Sequence, residues 1–201
     1  MELDHLAVAA ATLDEATEMI ETALGVTLQP GGQHPVFGTH NRLLGLDGGL
    51  YLEAIAIDPA APHPGRARWF DLDRFTGPAR LCNWICRTGD LDATLDALPK
   101  GVGTPLQLSR GDLRWRMAVP GDGRLPFDNM FPALIQWQGA LHPGAMLAAS
   151  GCALRRLVVA HPEADNLRDS LPLNDPRVVY ETGPAALMAE IDTDNGLKVL
   201  R

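Results

Sequence analysis

The stretch LDHLAVAAATLDEATEMI, Leu3 to Ile20, returns as LCNWICRTGDLDATLDAL from Leu81 and as LRRLVVAHPEADNLRDSL from Leu154, offsets of 78 and 151 residues. Recurrence of this kind marks a repeated supersecondary unit. Each copy reads as a strand, a short break and a helix. In the first, the strand Leu3 to Ala9 precedes Thr12, which with Glu15 three residues later forms a capping-box pattern. Ala16, Met19, Ile20, Ala23 and Leu24 follow at helical spacing, and Gly25 can take the positive φ that ends a helix. Asp90 caps the second helix, which Pro99 ends; Pro162 and Glu163 open the third, which Pro172 ends. After each helix come three strand-like segments with a turn before the last, at Asp47-Gly48-Gly49, Pro120-Gly121-Asp122-Gly123 and Asp194-Asn195-Gly196. The expected organisation is therefore three β-α-β-β-β units: residues 1–74 with a Pro-rich linker loop, 75–145, and a shorter, truncated unit at 152–201. One unit alone cannot bury its sheet face, so neighbouring units must share a core.

Composition narrows the partners. With 46% hydrophobic and 21% charged residues the chain is an ordinary globular sequence rather than a disordered or fibrous one. A formal charge of −8, with scattered arginines, provides no basic face for a phosphate backbone, so no nucleic acid is expected. No apolar run is long enough to span a bilayer, and acidic residues stand near the N-terminus where a secretory signal carries positive charge, so no membrane is expected either. Three cysteines without a Cys-x-x-Cys spacing indicate neither a disulfide framework nor a zinc site. A reducing cytoplasm is the expected location.

The repeated β-α-β-β-β unit, together with LDHLAVAAATLDEA, GGQHPVFGTHNRLLGLDGGLYLEAIAIDP and RWFDLD, resembles the glyoxalase-like domain proteins of the vicinal-oxygen-chelate superfamily. The resemblance runs over residues 3 to about 73 and continues more loosely through ALIQWQGALHP. It implies an α+β fold in which two units form a curved sheet around a cavity, with the third unit extending or covering them. In metal-dependent members each of the two units supplies one ligand from its first strand and one from its last. Mapped through the repeats, these positions are His5 and Asn83, and Glu53 and Gln136. His5 and Glu53 suit a divalent metal, whereas Asn83 and Gln136 offer only weak amide oxygens. The sequence departs from the pattern at half the site. The expectation is no resident cofactor, with a divalent metal at His5 and Glu53 as the alternative.

Glu53 interrupts the apolar strand LYLEAIAI, where an unpaired carboxylate is costly and its proton affinity rises toward the range useful in proton transfer. Glu53 as proton acceptor or donor, assisted by His5, is the leading catalytic pair. Asn83 and Gln136 could hydrogen-bond a ligand from the cavity wall. His40 and Asn41 point to opposite faces of their strand; a two-residue turn at Gly48-Gly49 would put Leu44 opposite Glu53, a three-residue turn would put Leu43 and Asn41 on the Glu53 side. Arg116 alternates with Trp115 and Met117, and its candidate role is an anion anchor at the cavity mouth. The functional expectation is a small-molecule protein, a lyase, isomerase or hydrolase working by proton transfer. The alternatives are a non-catalytic ligand-sequestering protein, a metal-dependent enzyme of the superfamily, and an interaction protein whose units pair between chains as a homodimer.

Overall fold

The computed structural model describes all of residues 1–201. The first unit is β1 (Glu2–Ala9), α1 (Leu13–Leu24), β2 (Gln29–His34), β3 (Thr39–Leu46) and β4 (Leu50–Ile57). The helix starts where Thr12 Oγ1 accepts the Glu15 N–H at 3.2 Å and stops at Gly25, whose φ of 74° is left-handed. Its buried stripe, Ala16, Ile20 and Leu24, packs on the sheet. The second unit repeats the wiring: β5 (Arg80–Arg87), α2 (Leu91–Ala97), β6 (Thr104–Arg110), β7 (Leu113–Val119) and β8 (Ala133–Gln138). Asp90 caps α2 through the Ala93 N–H at 3.1 Å. In both units the first strand lies parallel to the last.

β1 and β5 run antiparallel side by side and fuse the units into one sheet of eight strands, ordered β2-β3-β4-β1-β5-β8-β7-β6. The two edge strands approach each other: Arg110 of β6 lies 3.2 Å from His34 Nε2 of β2. Edges that meet across eight strands require the sheet to curl into a half-barrel, whose inner face encloses the site described below.

After a single turn, α3 (Pro143–Met146), come β9 (Ala153–His161), α4 (Ala164–Asp169), β10 (Val178–Thr182), β11 (Ala186–Thr193) and β12 (Gly196–Leu200). The order of elements is again β-α-β-β-β, yet the wiring differs. β9 pairs in parallel with β10 and antiparallel with β11, giving a separate sheet ordered β10-β9-β11-β12. Local sequence sets the order of elements, whereas partner choice is set by what each strand packs against. This second sheet covers the outer side of β5: the Trp84 and Tyr180 rings lie 6.4 Å apart, the Leu81 N–H donates to the Arg201 carbonyl at 2.9 Å, and β12 packs on α1. One continuous hydrophobic core runs through both sheets. No helix is long and apolar enough to cross a membrane, and all three cysteines are free.

The segment Trp69–Arg74 folds back over the half-barrel with Trp69, Phe70 and Leu72 buried. Phe70 and Asp71 have φ of 59° and 54°, a conformation that costs about 1–3 kcal/mol per non-glycine residue. Gly123 holds the segment there, accepting the Asp71 N–H at 2.9 Å. Its φ is +80°, and a Cβ would lie 2.1 Å from the Arg68 carbonyl oxygen. Gly123→Ala is therefore expected to lower the unfolding free energy by about 2–4 kcal/mol, read as a lower urea midpoint with unchanged slope.

Candidate active site

Residues directly opposite one another on paired strands share a face. Two such rows cross the inner face of the half-barrel: Tyr51, His5 and Ile85, and beside it Glu53, Ala7 and Asn83, each read across β4, β1 and β5. A third pair, Leu43 and Glu53, fixes the first hairpin with a three-residue turn. Asn41 is thereby on the Glu53 side and His40, opposite Ala56, is on the other.

His5 and Glu53 meet at 3.8 Å, Nε2 to Oε2, and each is only 5% exposed. Each is fixed from behind. His5 stacks on Tyr51 with centroids 4.2 Å apart, and its Nδ1 lies 2.6 Å from Asp4 Oδ1. Asp4 precedes His5 directly and would ordinarily point away from it, but the β1–β5 register slips between Leu3 and His5, leaving Asp4 without a partner in β5. Such a bulge re-aims a side chain. The fully buried Asp4 carboxylate also accepts from Trp137 Nε1 at 3.0 Å and meets His142 Nε2 at 2.9 Å. Burial by itself would raise the Asp4 carboxyl, but the hydrogen bonds with His142 and His5 outweigh it and hold the group well below the usual carboxylate range. An ionised carboxylate only accepts, so His5 donates through Nδ1–H and, when neutral, turns a free Nε2 lone pair toward Glu53. His142 Nδ1 accepts the Gly144 N–H at 3.1 Å, which puts its proton on the Nε2 facing Asp4. Burial, with Asp4 nearby, pushes the Tyr51 phenol well above its ordinary value, so it stays protonated.

Glu53 is fixed through its other oxygen. Oε1 accepts from Asn41 Nδ2 at 2.5 Å, and Asn41 Oδ1 accepts from the Gly32 N–H at 2.8 Å and from Arg110 Nη1 at 2.9 Å. Arg110 can only donate, so His34 Nε2 at 3.2 Å must accept, and His34 Nδ1–H donates to Thr39 Oγ1 at 3.1 Å. Burial and the neighbouring guanidinium push His34 down to about 3, keeping it neutral. The chamber enclosed by these groups, walled by Trp69, Phe70, Trp115, Met117 and Trp137, measures about 30 Å³, room for one or two water molecules.

The candidates named from the sequence divide. His5, Glu53 and Asn41 converge. Asn83 lies on the same face, in the row of Glu53 and two strands away, 1% exposed, with both carboxamide atoms unpartnered. His40 is on the opposite face of β3. Arg116 and Gln136 are likewise turned away from the chamber. They face each other across β7 and β8 on the outer surface, where Arg116 pairs with Asp92 at 2.7 Å and Gln136 binds the Gly89 carbonyl at 2.7 Å beside the start of α2. Their partners on the inner face are Trp115, Met117, Ile135 and Trp137. Ala7 pairs with Glu53 in the first unit and Ile85 with Ala133 in the second, so the counterpart of Glu53 is Ala133. Asp4, Tyr51, His34, Arg110 and His142 join the site although they are not among those candidates. Asp4 is hidden by the bulge, and His34, Arg110 and His142 come from an edge strand, another edge strand and a connecting segment.

The four positions at which the resemblance implies metal ligands, with Ala133 in place of Gln136, read His5, Glu53, Asn83 and Ala133. Two ionisable donors, one amide and a methyl group do not make that ligand set, and no three His, Cys, Asp or Glu side chains gather at metal-binding distances. No step is therefore routed through a metal.

Among solved structures, a hypothetical protein from Staphylococcus aureus superposes with a TM-score of 0.61 at 15% identity, covering 92% of this chain and 87% of that one. Methylmalonyl-CoA epimerase from Mycobacterium tuberculosis is 22% identical with a TM-score of 0.43, covering 69% of this chain and 88% of its own. A variant of the Streptomyces coelicolor epimerase in complex with 2-nitronate-propionyl-CoA is 16% identical with a TM-score of 0.43, covering 70% and 95%. At 15% identity the likeness to the Staphylococcus aureus protein is one of fold. No curated protein matches significantly. The model of the glyoxalase-like domain matches residues 3–172, most of the sequence and both halves of the half-barrel. The chain belongs to the glyoxalase-like domain family.

Proposed function

We propose that the chain acts on a small carbonyl compound by metal-free proton transfer, as a lyase, isomerase or hydrolase, with Glu53 as the proton acceptor and His5 as the partner acid or base. The observation that carries this reading is the unbridged pair: Glu53 Oε2 and His5 Nε2, both buried, face each other at 3.8 Å in a small chamber while their other atoms are held by Asn41 and Asp4. Asp4 orients the imidazole as the buried aspartate does in a catalytic triad. Asn83, unpartnered and in the same row as Glu53, is the group to receive a substrate carbonyl or hydroxyl. A single chain supplies every one of these residues, and the free cysteines suit a reducing cytoplasm.

The test is isotope exchange, which needs no knowledge of the product. A panel of 2-oxo acids, hydroxyketones, acyl thioesters and thiol–aldehyde adducts is incubated with the protein in D₂O, and loss of the proton beside the carbonyl is followed by NMR. Exchange by the wild type that is lost in Glu53→Gln supports the reading. Tight binding of a panel member with no exchange would favour ligand sequestration, which the apolar cleft described next also supports.

A further inference from the structure

We propose that the cleft between the half-barrel and the second sheet is the outer half of the ligand site, taking the apolar body of an amphipathic organic acid, and that Phe70 is the partition between this cleft and the Glu53 chamber. The proposal rests on the reading above only in taking the chamber as the place where the ligand's reactive end sits.

Size is the first argument. The chamber of about 30 Å³ admits no organic substrate, whereas the cleft measures about 550 Å³, within the range of ordinary ligand sites. Phe70 borders both. The second argument is backbone strain. The non-glycine residues with positive φ are Phe70, Asp71, Phe127, Asp128 and Asn129, and all but Phe127 border the cleft. The two strained stretches touch, Asn129 Nδ2 donating to Asp71 at 3.3 Å. Phe70 thus has a less strained backbone conformation to move to, and strain of this kind collects where a ligand is clamped.

Asn83 supplies the third argument. A carboxamide that is 1% exposed and has neither its donor nor its acceptor matched is costly to bury. On β5 it stands between Ile85, opposite His5, and Leu81, which borders the cleft. It lines neither space itself, but it is flanked on the inner face by a residue of the cleft and a neighbour of His5, and a ligand reaching from one space to the other would satisfy it. The cleft also selects the ligand's body and outer end. Leu81, Met130, Val158 and Leu187 give it an apolar lining. At its rim Asp71 and Asp128 already have Arg74 and His161 as partners and Glu181 is exposed without one, while Arg80, stacked 4.0 Å over Phe75, has only backbone carbonyls. A guanidinium with no carboxylate partner beside an apolar wall suits a carboxylate or sulfonate.

Anilinonaphthalene sulfonate, an apolar anion, is the probe. Wild type is expected to bind it with enhanced fluorescence, Ala160→Trp, which fills the cleft from β9, to weaken binding at least about tenfold, and Arg80→Ala to weaken it about threefold or more. No binding by the wild type, or unchanged affinity in Ala160→Trp, overturns the cleft as a site. Diethylpyrocarbonate labelling mapped by mass spectrometry then reads the partition, with exposed His63 as internal reference. Phe70→Ala, or Phe70→Leu should the alanine variant not fold, is expected to speed labelling of His5 relative to His63, by about tenfold for alanine. Combining it with Ala160→Trp is expected to cancel the gain. A gain that survives in the double variant, or no gain in either single variant, overturns the partition. Neither readout measures turnover, so failure of isotope exchange at Glu53 and failure of this proposal are separate results.

Discussion

Asp4→Ala is expected to lower the unfolding free energy by about 3–5 kcal/mol at neutral pH, the usual cost of removing one member of a buried charged network. The carboxylate is fully buried and holds Trp137, His142 and His5, so its loss removes the partner of one buried and two half-buried polar groups. Asp4→Asn is expected to lose less: its carbonyl oxygen can still accept, while its amide confronts another donor. The pH dependence has a definite sign. The folded-state carboxyl is held below its ordinary value, so this stabilisation is fully present above the unfolded value of about 3.9 and disappears as pH falls through the folded value. Urea melts from pH 7 down to pH 3 should show the wild type losing an increment below about pH 4 that Asp4→Ala does not have to lose. His5→Phe, by contrast, keeps the stacking on Tyr51 and should cost less stability than Asp4→Ala while removing the facing nitrogen.

Glu53→Gln is expected to reduce exchange of the substrate proton by about 10²- to 10⁴-fold, the usual contribution of a positioned general base. The substitution keeps an oxygen for Asn41 and nearly the same volume, so the chamber should stay intact and stability should change little. Binding of the anionic probe in the cleft beyond Phe70, which Glu53 does not line, should be unchanged, which separates loss of chemistry from loss of fold. Asn41→Ala is the informative companion. It leaves Glu53 in place but removes its support and its link to Arg110, so it should reduce exchange less than Glu53→Gln does.

How far the sequence carries can be judged residue by residue. The repeat, Thr12 with Glu15, Gly25 and Asp90 were enough to place the helices, because capping and helix termination are local and the residues involved are specialised for them. His5 and Glu53 were legible as polar interruptions of apolar strands. The hairpin register was not, since a single residue in the turn decides whether Asn41 or His40 faces inward, and only the observed pairing of Leu43 with Glu53 settles it. Gln136 was matched to Glu53 by strand pattern, but the Pro120–Pro132 excursion shifts the alignment and Ala133 is the counterpart. The difference of three positions is odd, and an odd shift turns a strand residue to the other face. Asp4 was invisible because alternation assigns neighbours to opposite faces and a bulge breaks that rule. Arg110 and His34 could not be joined at all, since only the curl of the whole sheet brings its two edges together. The third unit shows the same boundary between local and tertiary information: its elements follow the expected order, while its strands choose different partners.

The most direct measurement of the central claim is isotope exchange in D₂O with protein exhaustively dialysed against a strong chelator. The account predicts that exchange of the carbonyl-adjacent proton proceeds at the same rate before and after dialysis and is lost in Glu53→Gln. Exchange abolished by chelation and restored by one equivalent of a divalent metal, or retained in full by Glu53→Gln, would contradict it.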